Sequence, residues 1–200
     1  MAEFKTNVMR MLDKEKVPYT PHTYDHGDGA IDGASVAAKM GQDPARVFKT
    51  LVTQGAGKSY FVFVVPVLAE LDLKKAAKSV GEKSVAMLHV ADINKVTGYV
   101  RGGCSPLGMK KAYRTVFDRS ALAGASIIVS GGRIGYQIEL APEELIRLAR
   151  ADTCLLYTSP TTWNSLSAAV RPTWPSAWPT MAWTPLTSPS CPPTPSARRR

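Results

Sequence analysis

The chain has 200 residues, 44% of them hydrophobic, and carries a formal net charge of +9. This composition is ample for the buried core of one domain, with room for an appendage. Three cysteines without a CxxC pair give no basis for a disulfide framework or a zinc site, and no apolar run is long enough to span a bilayer.

The first quarter of the chain predicts short helices around one strand. Phe4, Val8 and Met11 share one face of an opening helix that ends before Pro18. The next expected elements are a strand Tyr19–Tyr24, a helix Ala34–Met40, and a short helix begun by Asp43 and Pro44. Lys49 is therefore expected where a helix passes into a strand.

The middle of the chain predicts a hairpin, followed by helices and further strands. Phe48–Thr53 and Ser59–Val67 flank a glycine-rich turn, and the second strand is apolar enough to be buried on both faces. Asp72 begins a lysine-rich helix that ends at Gly81. The remaining expected elements are strands Tyr113–Phe117, Ser126–Ser130 and Tyr136–Leu140, and a closing helix from near Pro142 past Asp152. This order predicts an α+β domain with a mixed, largely antiparallel sheet and surrounding helices.

The segment Arg101–Gly108 predicts a backbone that approaches a ligand closely. Gly103 permits an approach that a side chain would block, and Pro106 fixes its own φ and stiffens the exit. Such a turn can hold N–H groups ready for an anion. An ordinary structural turn is the simpler interpretation of this segment alone.

Two further segments accompany this turn, with the sequences ARVFKTLV at 45–52 and IVSGGRIGYQIEL at 128–140. Together with His22-Thr23-Tyr24, the set resembles the YbaK family of aminoacyl-tRNA deacylases and the related editing domain inserted in bacterial prolyl-tRNA synthetases. The resemblance spans roughly Phe4 to Arg150 and rests on the order of the motifs, since no single motif is specific. It implies one YbaK-like domain, which we assign to residues 1–153.

The resemblance implies a substrate pocket that uses no metal and no cofactor. Lys49 is expected to act in catalysis, because its aliphatic stem can cross an apolar wall while its ammonium stabilises the substrate's developing charge. N–H groups of the glycine turn would hold the ester carbonyl or the terminal adenosine. Tyr24 would stack on a base, although a core position is an equal interpretation. The expected substrate-binding residues are Tyr24, Gly103, Ser105, Pro106, Leu107, Ser130, Gly131 and Gln137.

Three other features of the sequence suggest chemistry. Cys104 is a conceivable nucleophile, but no histidine lies near it in the sequence and the family uses no cysteine there. His22, Asp25 and His26 suggest a metal cluster, but a strand places Asp25 on the opposite face. Gln137 stands where some relatives carry an acidic residue, which leaves the amino-acid preference open.

The resemblance implies a free-standing, cytoplasmic trans-editing enzyme that hydrolyses mischarged tRNA at its 3′ acceptor end, in the first place Cys-tRNA(Pro). A synthetase pocket sized for proline cannot strongly exclude a residue of similar bulk, so a second sieve must remove the error. The resemblance implies a substrate-assisted route, in which the thiol of the misattached cysteine attacks its own ester or a ribose hydroxyl of the tRNA helps position water. The open alternatives are an alanine-preferring deacylase of the same fold and a non-catalytic module that binds tRNA or a synthetase. Prolyl-tRNA synthetase is a further implied partner.

The composition changes at Cys154. All four tryptophans and nine of the fifteen prolines follow it, without one Lys, Asp or Glu, which predicts a disordered tail over residues 154–200. Residues 154–159, CLLYTS, also match the translation of a transposase adapter sequence, so we expect an artefactual join. The alternative is a Trp-Pro recognition tail that ends in three arginines. Four tail arginines supply +4, which leaves +5 for the body, a balance that suits a polyanionic partner.

Overall fold

A computed structural model describes residues 4–157, which fall within one compact unit that spans Met1–Thr158. The predictions for the tail from residue 158 onward lie outside the described residues. The helices are α1 (Asn7–Lys14), α2 (Gly33–Lys39), α3 (Leu73–Val80), α4 (Val90–Thr97) and α5 (Pro142–Ala149). The strands are β1 (Thr20–Thr23), β2 (Phe48–Gly55), β3 (Tyr60–Pro66), β4 (Val85–Met87), β5 (Arg114–Asp118), β6 (Ile127–Arg133), β7 (Tyr136–Leu140) and β8 (Asp152–Cys154).

The described strands form two sheets, where the sequence predicted one. The first has the order β1-β7-β6 and is antiparallel throughout. The second has the order β4-β2-β3-β5-β8, with antiparallel pairs at β2/β3 and β2/β4 and parallel pairs at β3/β5 and β5/β8. The predicted α+β class and the mixed, largely antiparallel pairing are confirmed.

Local sequence signals explain most element boundaries. The Asp72 carboxylate accepts the N–H groups of Lys74 and Lys75 and begins α3, which ends at Gly81 with a φ of 75°. Asp43 accepts the Ala45 N–H at the start of a 3₁₀ turn over Pro44–Arg46. The expected cap residues therefore hold the helices that frame β2 and β3.

The two sheets meet at the start of β2. Val47 forms an isolated parallel bridge with Ile128 of β6, and both are buried with Ala37 of α2 and Val67. Gly33 allows this closeness, because a Cβ there would stand 2.3 Å from the Val67 side chain. The junction brings the N-terminus of α2, the start of β2 and the β6–β7 pair together.

The C-terminal part of the domain differs from the prediction. α5 ends at Ala149, and Arg150 adopts a left-handed φ of 49°, so the helix does not continue past Asp152. The chain instead adds β8 beside β5 and runs on to Leu156, which is fully buried beneath α3. The packed unit thus extends four residues beyond the boundary expected at 153.

Two hydrogen bonds anchor this segment. The Leu156 N–H donates to the buried Asp118 carboxylate at 2.7 Å, and its carbonyl accepts the Asp72 N–H at 2.9 Å.

Within residues 4–157 no helix is long and apolar enough to cross a membrane.

Candidate functional site

A pocket of about 330 Å³ lies at the junction of the two sheets. Its walls come from the N-terminus of α2, the start of β2, the β6–β7 pair and the glycine turn after α4. The lining residues that bear on its chemistry are Asp32, Lys49, Thr50, Arg101, Cys104, Ser130 and Gln137. Of the expected site residues, the pocket therefore gathers Lys49, Ser130 and Gln137.

Lys49 projects a cation into this pocket from the second residue of β2. Its ammonium donates to the Val67 carbonyl at 3.0 Å, and its stem passes an apolar wall that includes Val47 and Leu51. Burial lowers the pKa of Lys49, and the negative charge of Glu70 opposes that shift. One hydrogen bond leaves two of the three ammonium donors for a ligand.

Ser130 and Gln137 are direct cross-strand partners on β6 and β7. They are 8% and 6% exposed, so the pocket is the place where their polar atoms meet solvent. The Ser130 hydroxyl accepts a long bond of 3.4 Å from the Gly132 N–H. No group among residues 4–157 forms a hydrogen bond with the side-chain amide of Gln137. This amide can both donate to and accept from a ligand.

The glycine turn enters the lining through Gly102 and Cys104. Gly103 lies behind them, and a Cβ there would stand 3.0 Å from the Ile134 nitrogen and 3.2 Å from the Arg133 Cα. The glycine is therefore required by contact with the β6–β7 hairpin.

Two of the four N–H groups in the segment 103–107 are hydrogen-bonded within the protein. Gly103 donates to the Val100 carbonyl at 3.0 Å, and Leu107 donates to the Ser105 hydroxyl at 3.3 Å. Ser105 is fully buried and Pro106 has no N–H. Cys104 is the residue of the segment 103–107 that lines the pocket.

The other expected residues lie outside this lining. Pro106 and Leu107 border a separate groove with Met11 and α5, and Leu107 is part of the core. Tyr24 is 7% exposed, and its hydroxyl is buried without a partner in the described part of the chain. Gly131 sits in the β6 irregularity, where a Cβ would stand 3.3 Å from the Tyr136 carbonyl oxygen.

The Cys104 thiol is protonated at neutral pH, because burial raises its pKa to about 12. A thiol is a weak nucleophile compared with its thiolate. This environment argues against Cys104 as the attacking group.

His22 does not form a metal cluster with its sequence neighbours. Its ring nitrogen pairs with the Glu139 carboxylate at 2.9 Å, and Glu139 also binds Arg46 and the Ser126 hydroxyl. Residues 4–157 contain no group of three or more potential ligands arranged for a metal.

The lining residues that sequence reasoning missed include Thr50, Arg101 and Ile31. Thr50 lines the pocket and has a buried hydroxyl without a partner among residues 4–157, and Arg101 adds an exposed cation. Ile31 enters because it contacts Gly102, whose Cβ would stand 2.9 Å from the Ile31 Cδ1. Thr50 follows Lys49 directly, so the motif around Lys49 could have revealed it, whereas the loop that carries Ile31 gives no signal.

The fold matches that of a solved protein described as a trans-editing enzyme for prolyl tRNA synthetase. The TM-score is 0.66 at 20% identity, over 78% of this chain and all of that one. At this identity the likeness concerns the fold.

Residues 30–148 match the model of the aminoacyl-tRNA editing domain family, and the chain belongs to that family. The matched range contains the whole pocket, from Ile31 to Gln137. The resemblance inferred from the sequence motifs is confirmed.

A relative from Enterococcus faecalis bears the name Cys-tRNA(Pro)/Cys-tRNA(Cys) deacylase EbsC. It is 48% identical over 144 residues, which cover 72% of this chain and 88% of the relative.

Proposed function

We propose that this pocket hydrolyses the aminoacyl ester of mischarged tRNA, and that Cys-tRNA(Pro) is its preferred substrate. The observation that carries the proposal is the convergence of the Lys49 ammonium with the open Gln137 amide and the Ser130 hydroxyl in one small pocket. The name of the 48% identical relative supports cysteine as the amino acid.

The polar groups of the pocket match the parts of an aminoacyl ester. Lys49 and the Cys104 N–H would stabilise the oxyanion that forms when the ester carbonyl is attacked. Gln137 and Ser130 would accept hydrogen bonds from the substrate's ammonium group or donate to ribose oxygens. Arg101, at the margin, would attract the terminal phosphate.

The substrate's own thiol supplies the nucleophile in this proposal. Its sulfur attacks the ester carbonyl carbon, the carbon–oxygen bond to the ribose breaks, and the thiol proton passes to the departing ribose oxygen. Water then opens the resulting four-membered thiolactone to free cysteine. Support comes from the pocket itself, because its described lining holds no histidine and Cys104 is protonated at neutral pH.

The test measures release of labelled cysteine from Cys-tRNA(Pro) by the full chain, by Lys49→Ala and by Lys78→Ala. Lys78 is an exposed lysine on α3 and serves as the matched control. Loss of one oxyanion donor lowers the rate by about 100-fold or more, so Lys49→Ala is expected to fall by that factor. Lys78→Ala is expected to stay within about twofold.

Ala-tRNA(Pro) and Ser-tRNA(Pro) separate the alternatives. Thiol assistance predicts rapid release of cysteine and background release of alanine and serine, since neither of these carries a thiol. Rapid release of alanine would instead identify the alanine-preferring subtype. Binding of charged tRNA without release of any amino acid would identify a non-catalytic module.

We also propose prolyl-tRNA synthetase as the partner that selects the tRNA, which is supported by the description of the solved relative. In this proposal the pocket binds the 3′ end of the tRNA, so the body of the tRNA must be recognised by another protein. Adding the synthetase is expected to raise the rate on Cys-tRNA(Pro) and to leave the rate on Cys-tRNA(Cys) unchanged. Equal rates on both tRNAs with and without synthetase would remove this part of the proposal.

A further inference from the structure

An exposed cluster on the far side of the glycine turn combines two aromatic rings with one guanidinium. Phe4 and Tyr136 have ring centroids 5.4 Å apart, with planes inclined by 45°. The Arg133 guanidinium carbon lies 4.7 Å from the Phe4 centroid and 6.0 Å from that of Tyr136. Both distances fall in the range of cation–π attraction. Phe4, Arg133 and Tyr136 are called the aromatic–arginine patch below.

The charge of this patch is not neutralised by a neighbour. Arg46, Arg114 and Arg147 each bind a carboxylate. By contrast, no carboxylate or carbonyl among residues 4–157 bonds Arg133, which is exposed. Its cation is therefore available to an anion, such as a phosphate.

The patch also has a free aromatic surface beside a groove. Phe4 is 49% exposed. A groove of about 730 Å³ runs from Phe4 and Tyr136 along β1 and α1. Its size and its aromatic wall suit a flat ring such as a nucleobase.

The patch is joined to the candidate pocket through the β6–β7 hairpin. Arg133 ends β6 and Tyr136 begins β7, and the same two strands carry Ser130 and Gln137 into the pocket. The backbone at Arg133 also touches Gly103, the centre of the turn that borders the pocket. Tyr136 and Gln137 are consecutive on β7, so their side chains lie on opposite faces of the hairpin, and a strand that leaves the pocket would reach the patch by passing round the end of the hairpin.

We propose that the aromatic–arginine patch stacks an unpaired base of the tRNA 3′ end, one of the nucleotides that precede the terminal adenosine. This inference rests on the proposed function, because it places the aminoacyl ester in the pocket. Phe4 and Tyr136 offer a ring face that accepts any base, and Arg133 binds the adjoining phosphate or stacks in turn. The patch thereby holds the single strand so that the ester enters at a fixed depth.

The first experiment compares two cysteinyl esters of different length. One is Cys-tRNA(Pro), and the other is cysteinyl-adenosine, which lacks every preceding nucleotide. Phe4→Ala and Arg133→Gln are expected to lower kcat/KM on the tRNA by about five- to hundredfold, the range of one base stack. On cysteinyl-adenosine both variants are expected to match the unmodified chain.

Controls separate stacking from structural damage. Phe4→Trp, unlike Phe4→Ala, is expected to keep the rate of the unmodified chain on tRNA, because a larger ring stacks at least as well. Arg119→Gln, which removes another exposed arginine, is expected to leave both substrates unaffected. An equal loss on the tRNA and on cysteinyl-adenosine, or no loss on the tRNA, would overturn the proposal.

A binding measurement keeps this inference separate from the proposed chemistry. Fluorescence anisotropy would follow an uncharged acceptor-stem hairpin with and without its single-stranded CCA end. The unmodified chain is expected to bind the hairpin with the overhang more tightly, and Phe4→Ala is expected to reduce that difference, because the pocket still binds the terminal nucleotide. If no amino acid is released but binding depends on the overhang, the inference about the patch stands and the proposed function is wrong. If the overhang makes no difference while cysteine is released, the patch fails alone.

Discussion

Leu156 offers the sharpest test of how far the folded domain extends. Its side chain is 0% exposed and packs in a cluster with Phe63, Val116 and the buried face of α3. Leu156→Ala removes three carbon groups, about 2 kcal/mol of transfer free energy. The cavity that remains raises the expected loss to about 3 kcal/mol, within the range of about 2–5 kcal/mol for such changes. For a domain of this size that corresponds to a fall in Tm of roughly 6–12 °C.

Leu155 is the matched control, because it is the same residue type one position away and is 51% exposed. Leu155→Ala is expected to change the free energy of unfolding by less than about 0.5 kcal/mol. Urea unfolding followed by circular dichroism would measure both variants in the full chain. If the two leucines have the same effect, then residues beyond 153 do not complete the core, and the packing of Leu156 beneath α3 is wrong.

Three further predictions concern the pocket and its surroundings. Cys104→Ala is expected to retain cysteine release within about threefold, because a thiol with a pKa of about 12 is not the nucleophile. Gly103→Ala is expected to lower the rate more than tenfold by pushing the turn away from the hairpin, whereas Gly124→Ala, with its nearest contact at 3.6 Å, is expected to be neutral. The Ser126 hydroxyl, with His22 and Arg46, lowers the pKa of Glu139 below 4.5, so this carboxylate stabilises the fold above that pH and loses its effect as the pH falls through the lowered pKa. Urea titrations should therefore show less acid sensitivity in Glu139→Gln.

The predictable part of the fold was the part governed by local signals. Asp72 and Gly81 mark the ends of α3 in the sequence. The continuous apolar run of β3 identifies it as a buried strand. β4 and β8 are three residues each, too short for a periodic pattern, and they are strands because β2 and β5 offer open edges. Their existence depends on partners that are distant in the sequence.

The end of α5 shows the same limit in another form. Nothing in the residues after Leu148 forbids helix, and Arg150 is not a residue that usually adopts a positive φ. The chain turns there because the edge of β5 and the buried Asp118 accept the segment that follows. A tertiary contact thus overrides a helical preference.

The site could be predicted only where its residues belong to recognisable motifs. Lys49, Ser130 and Gln137 were expected, and the register of β6 with β7 brings the last two side by side. Whether Ser105 and Leu107 face the pocket or the core depends on the path of the turn, which composition does not encode. Thr50 and Arg101 line the pocket because of the path that the backbone takes, which composition does not encode either.

The charge distribution around the pocket explains how an anionic strand can approach it. Asp32 lines the pocket, but its carboxylate accepts the Ser35 N–H and caps α2. Glu139 lies two residues beyond Gln137 on β7, and its charge is bound by Arg46 on the outer side of the sheet junction. The charged residues of the lining are the two cations Lys49 and Arg101 and the one anion Asp32, so the lining is positive on balance. The Gln137 side-chain amide adds polarity without a negative charge, so under the proposed function a phosphate backbone would meet a positive opening.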